Sequence, residues 1–133
     1  MPDVTPGLRG ELAWKVEESV CTKRGDHWIF STPSMVQLLE SASIEALKPH
    51  LDPNQASVGT RVDIRHLAPT VQGMTVRAVV TVREVDRRRV AFDVEVFDDV
   101  EKVGEADHER FIVDLDRYMQ RLGQKVASWG ARA

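Results

Sequence analysis

The order of elements in this chain predicts an α+β fold, an antiparallel five-stranded sheet wrapped around one long central helix, with a short helix near the C-terminus. Three observations predict it. A helical stretch centred near residue 40 is apolar over most of its circumference, the mark of a helix enclosed by other structure. Runs with two-residue alternation lie on both sides of it. The links between the later runs are too short for a crossover, so those strands must return as antiparallel hairpins.

Each element has its own local reason. Residues 1–10 carry two prolines and two glycines and read as a loose lead-in. From Glu11 to Val20, Leu12, Trp14, Val16 and Val20 alternate with Glu11, Lys15, Glu17 and Ser19, the period of a strand with one buried face. Lys23-Arg24-Gly25-Asp26 reads as a polar turn leading to Trp28 and Phe30. At Ser31-Thr32-Pro33 the helix begins, with Thr32 as N-cap and Pro33 in the first turn, where its missing N–H costs nothing. It runs to Leu47 or Lys48 and stops before Pro49. Pro49 to Ser57 is a loop, followed by strands over Thr60–Ala68, Met74–Val82 with an extension to Val85, Val90–Val96 and Lys102–Val113. Asp86–Arg89 and Asp98-Asp99 are the tight turns, and Asp114 starts a short amphipathic helix ending at Gly123. A five-stranded antiparallel sheet curled about a central helix is the hot-dog architecture, here one domain over residues 11–125 with a tail at 126–133. Its open sheet edges favour pairing into a dimer.

Composition narrows the function classes. The 133 residues are 42% hydrophobic and 29% charged, which suits an ordinary globular core and argues against disorder. A net charge of -3 speaks against general nucleic-acid attraction. Cys21 is the only cysteine, so neither a disulfide framework nor a multi-cysteine zinc site is available. No signal-like segment or run of ~18 to 20 apolar residues is present, so a cytoplasmic protein without membrane association is expected. A glycine-rich phosphate loop, HExxH, CxxC and GxSxG are all absent.

What remains is polar residues in apolar places. On the helix wheel Glu40 falls between Leu47 and Ile44, inside the apolar arc, whereas Glu45 lies on the polar stripe. A carboxylate there must pair, shift its pKa, face a wet cleft, or reach water from the edge of the arc. His66 continues the Val62 and Ile64 face of its strand and points toward the helix, either as a satisfied core histidine or as a base. N-capping accounts for Thr32 on its own; the alternative turns its hydroxyl into the same cleft, about 12 Å of helix rise from Glu40. Gly59 is either a turn residue or a point of close backbone approach to a ligand oxygen. His108-Glu109-Arg110 sits in the strand of poorest alternation, which is either a charged edge or the wall of a mouth where Arg110 meets an anion. Arg87-Arg88-Arg89 reads as a solvated turn, with a coenzyme phosphate contact as its alternative, and Cys21 and His27 show no nucleophile or ligand spacing.

Together, Thr32-x7-Glu40, Val58-Gly59-Thr60, His66-Leu67-Ala68-Pro69-Thr70 with Gly73, and His108-Glu109-Arg110-Phe111 resemble the fluoroacetyl-CoA thioesterase-like group of hot-dog proteins, over roughly Ser31 to Arg117. The resemblance implies hydrolysis of an acyl-CoA thioester to free acid and coenzyme A. It places a catalytic threonine, glutamate and histidine on Thr32, Glu40 and His66, and substrate contacts on Gly59 and Arg110. It further implies a homodimer, or a tetramer of paired dimers, with sites at the subunit interface. No metal or redox cofactor is implied; coenzyme A is part of the substrate. Thr22 to Phe30 does not match the family's aromatic lid, so fluoroacetyl specificity is not carried over. A non-catalytic acyl-CoA or small-ligand binding module is the alternative on the same fold, and an enoyl hydratase is a third reading that lacks its Asp-and-His motif.

Overall fold

A computed structural model describes residues 3–132. Five strands form one antiparallel sheet: β1 (Arg9–Lys15), β4 (Gln55–His66), β5 (Thr75–Asp86), β6 (Arg89–Phe97) and β7 (Lys102–Asp114), in the order β1-β5-β6-β7-β4. A small hairpin, β2 (Cys21–Arg24) with β3 (His27–Phe30), precedes the long helix α1 (Thr32–Leu47), and α2 (Leu115–Gly130) closes the chain. This is the expected hot-dog arrangement, with the sheet curled around one helix.

The core lies between α1 and the concave face of the sheet. Val76, Ala78, Val80 and Val82 of β5 and Val90, Phe92, Val94 and Val96 of β6 are buried against Met35, Leu38, Leu39 and Ala42 of α1. On the convex face the alternate residues form ion pairs, Arg83 with Asp93 and Asp107 at 2.6 and 2.7 Å and Arg89 with Glu109 and Glu84 at 2.5 and 3.1 Å. Such pairs are exposed and individually weak, but they keep that face in water.

Several details differ from the sequence expectations, each for a local reason. The first strand starts at Arg9 and ends at Lys15; a 3-10 turn at Glu18–Val20 then redirects the chain. Lys23 to Asp26 is not a lone turn but the tip of the β2–β3 hairpin, with Gly25 at φ 57° supplying the left-handed residue. The N-cap of α1 is Ser31, whose Oγ accepts from the Ser34 amide at 3.3 Å, so Thr32 stands inside the helix with its hydroxyl free of capping. β4 begins at Gln55, inside the expected loop, and a bulge at Gly59/Arg61 shifts its register against β7. That bulge reverses the in–out phase, which is why the alternation is legible only from Thr60 onward.

Two further corrections bear on the site. Strand β7 is not an edge; it lies between β6 and β4, which is itself an edge strand. Helix α1 is not enclosed all round. Thr32, Val36, Glu40 and Ile44 form an i, i+4 row beside β4, and this row is open: Thr32 and Ile44 are exposed and Val36 and Glu40 half-buried. At the C-terminus α2 passes Gly123 and continues to Gly130. Its Asp114 cap carboxylate does not cap it, being held by Arg88 at 3.1 and 3.3 Å.

Candidate active site

The groove between α1 and β4 holds the polar groups in two clusters. At the start of α1, Thr32 Oγ1 lies 2.8 Å from His66 Nδ1 on the last residue of β4. Freed from capping by Ser31, the hydroxyl can serve the imidazole. The other ring nitrogen of His66, Nε2, is buried and has no hydrogen-bond partner among the described residues. Nδ1 is the ring nitrogen that faces the Thr32 hydroxyl. Burial pushes the His66 pKa below the ordinary histidine value, opposed in part by the Ala68 backbone. Neutral imidazole is thus the resting form near pH 7. A cavity of about 380 Å³ opens on this pair, walled by Ile29, Phe30, Leu67 and Pro69.

Two turns further along α1 is a charged cluster. Glu40 Oε2 accepts from Arg110 Nη1 at 3.2 Å; the arginine side chain is only 3% exposed, the glutamate 37%. Arg110 is anchored elsewhere as well. Its Nε donates to Ser57 Oγ at 2.8 Å, Nη2 to the Ser57 carbonyl at 3.0 Å, and Nη1 approaches His108 Nε2 at 3.2 Å. His108 Nδ1 faces the Arg61 carbonyl at 2.8 Å, which only an N–H can satisfy, so Nε2 carries the lone pair that meets Arg110. Burial holds the His108 pKa down, and the Arg110 charge acts in the same direction. Burial likewise lowers the Arg110 pKa, opposed by Glu40.

Gly59 explains how Glu40 reaches this place. A Cβ at position 59 would stand 2.5 Å from Glu40 Oε2 and 3.2 Å from Arg110 Nη1, so only glycine leaves room for the carboxylate. The structure thus groups the five predicted residues as Thr32 with His66, and Glu40 with Gly59 and Arg110. Within one chain it does not pair Glu40 with His66. Sequence reasoning missed Ser57 and the inward turn of His108; the bulge hid the first, and the second was legible in the alternation of Arg110, His108 and Ala106.

A family model described as the fluoroacetyl-CoA-specific thioesterase matches residues 15–116. The chain belongs to this thioesterase family. The fluoroacetyl-CoA thioesterase of Streptantibioticus cattleyicolor is 35% identical over 98 residues, 74% of this chain and 70% of the relative. A solved structure of the fluoroacetyl-CoA thioesterase FlK superposes with a TM-score of 0.84 at 28% identity, covering 92% of this chain and 97% of that one. A hot-dog-like protein from Thermanaerovibrio acidaminovorans gives 0.84 at 27% identity, over 90% and 91%. A thioesterase-superfamily protein from Thermus thermophilus gives 0.91 over 98% and 99%, and at 23% identity it supports the fold alone. Like its family, this protein is a thioesterase acting on acyl-CoA. No helix among the described residues is long and apolar enough to cross a membrane.

Proposed function

We propose that Thr32, His66 and Glu40 act on one thioester carbonyl, in a site completed by a second copy of the chain. The observation that carries this reading is the 2.8 Å contact between Thr32 Oγ1 and His66 Nδ1, a hydroxyl and a neutral base in direct reach. Water attacks the acyl carbon, and its proton passes by way of the Thr32 hydroxyl to His66 Nδ1. The carbon–sulfur bond breaks as the tetrahedral oxyanion collapses, and the proton on His66 returns to the coenzyme A thiolate. A backbone N–H at Gly59 polarises the carbonyl. Glu40, pinned through one oxygen by Arg110, keeps the other free to orient the water. Arg110 is a positioning residue in this scheme; its buried bonds to Ser57 and His108 leave the substrate to Glu40 and Gly59.

Geometry supports the second copy. Thr32 and Glu40 are eight residues apart, about 12 Å along the helix, too far for one acyl group to touch both in one chain. Strand β4 is an edge of the sheet, and the row beside it carries the half-buried Val36 between Thr32 and Glu40 and the exposed apolar Ile44 one turn beyond. Antiparallel pairing of two β4 edges about a twofold near Val62 and Asp63 sets His66 across from Gly59 of the partner subunit. Each site then draws Thr32 and His66 from one protomer and Glu40 and Gly59 from its partner.

The test is free-thiol release from short, branched and aromatic acyl-CoAs, with His66→Ala, Glu40→Gln and a refolded mixture of the two. Each variant alone is expected to be inactive while the mixture regains activity, because mixed dimers contain one intact site. Two inactive variants whose refolded mixture stays inactive would place the site within one chain. Full activity in His66→Ala would overturn the assignment altogether.

A further inference from the structure

The cavity beside Thr32 and His66 has a feature that this mechanism does not use. Strand β2 sends Thr22 and Arg24 to the cavity side, whereas Lys23 turns to the opposite face and lies 5.9 Å from the Trp28 ring. The hairpin is firmly held. Phe30 N donates to the Thr70 carbonyl and Gln72 N to the Trp28 carbonyl, both near 2.9 Å, and Ile29 bridges to Val71. The wall that carries Arg24 is thereby tied to the Leu67–Pro69 wall facing it.

Arg24 differs from the arginines on the strands of the five-stranded sheet and from Arg88. Arg83, Arg88, Arg89 and Arg110 are each paired with a carboxylate, whereas the bond found for the Arg24 guanidinium is Nη1 to the neighbouring Lys23 carbonyl at 3.0 Å. Among the described residues no acidic side chain lines the cavity. A guanidinium with no carboxylate partner among the described residues, at the mouth of a cavity that these residues line without another formal charge, favours a negatively charged occupant. The same cavity receives the N-terminal end of α1, whose dipole has the same preference.

We propose that Arg24 determines specificity by binding an anionic group of the thioester substrate, either a carboxylate on the acyl chain or a phosphate of coenzyme A. The inference rests on the placement of hydrolysis at Thr32 and His66. It adds a chemical requirement to that placement: negative charge within reach of Arg24 when the thioester lies beside Thr32.

The experiment compares wild type, Arg24→Gln and Arg24→Lys on acetyl, butyryl, succinyl and glutaryl thioesters, each carried on coenzyme A and on N-acetylcysteamine, which has no phosphate. Binding of coenzyme A and of glutarate is measured by calorimetry in parallel. Arg24→Gln is expected to raise KM about tenfold or more with kcat little changed, and Arg24→Lys to recover part of the loss. A loss confined to succinyl and glutaryl thioesters on both carriers, with weaker glutarate binding, identifies an acyl carboxylate. A loss on every coenzyme A thioester and none on N-acetylcysteamine thioesters, with weaker coenzyme A binding, identifies a phosphate. Arg24→Gln indistinguishable from wild type in KM and in both binding measurements overturns the proposal. Failure of the underlying site assignment looks different: His66→Ala then retains activity, while the Arg24 binding comparison still reads out.

Discussion

The two clusters along the α1–β4 groove are built on opposite principles. Thr32 and His66 form a neutral pair at an open cavity, joined by one hydrogen bond, with the imidazole kept uncharged by burial. Glu40 and Arg110 form a charged pair, and the arginine is tied to Ser57 and His108 on every side. The first arrangement suits a group that must gain and lose a proton; the second suits one that must keep its charge and position. In the proposed scheme the ion pair, whose arginine is buried and whose glutamate is half-exposed, serves to place a carboxylate.

The contrast can be broken most sharply at the neutral end. His66→Ala is expected to lower kcat/KM by about 100-fold or more while the fold persists, read from thiol release and circular dichroism. At the charged end, Gly59→Ala should lower kcat/KM by about tenfold or more, because the new methyl displaces the Glu40 carboxylate. Arg110→Met should lower kcat/KM to a similar extent, because Glu40 loses its anchor, and should also cost about 1 to 3 kcal/mol of stability in urea denaturation, because the Ser57 and His108 acceptors lose a buried donor. If Gly59→Ala keeps full activity, the charged cluster is structural alone.

Finer variants sharpen the same comparison. Ser31→Ala is expected to cost about 1 kcal/mol of stability with activity nearly intact, whereas Thr32→Ala should lower activity and leave the melting temperature almost unchanged. Equal melting-temperature losses would return Thr32 to a capping role. The pH dependence follows from the lowered pKa values of His66 and His108. The base form of His66 persists below the ordinary histidine value, so the acid limb of kcat/KM should fall below pH 6.5. Below that pH the unfolded chain binds more protons than the folded one, so stability declines as pH falls toward the folded pKa values. His108→Gln should flatten that decline in a series of melting curves, and an unchanged slope would remove His108 from the account.

Much of this was legible in the sequence where one pattern dominated. The alternation of β5 and β6 and the apolar arc of α1 predicted the sheet and its helix, because each side chain there answers to a single buried face. Glu40 and His66 stood out for the same reason, as polar residues at apolar positions. Legibility failed where two local rules competed. Ser31 and Thr32 are both good caps, and only the backbone decides that Ser31 takes the role. At Gly59 the bulge reverses the phase of β4, so Ser57 reads as loop although it grips Arg110. For β7, poor alternation left a charged edge and the wall of a mouth both open; the strand is internal, and the disturbing residues, His108 and Arg110, are polar groups turned inward and satisfied there.

The walls of the Thr32–His66 cavity come from a surface hairpin and a surface loop, with Thr22, Arg24 and Leu67 all exposed. None of these three fills the core, unlike Phe30, which lines the same cavity. If the proposed site holds, single replacements at these three positions change substrate preference while the Thr32–His66 contact and the melting temperature stay as they are. Libraries confined to the exposed positions 22, 24, 67 and 69 are then expected to vary selectivity with few unfolded members, as thiol release and melting curves would show.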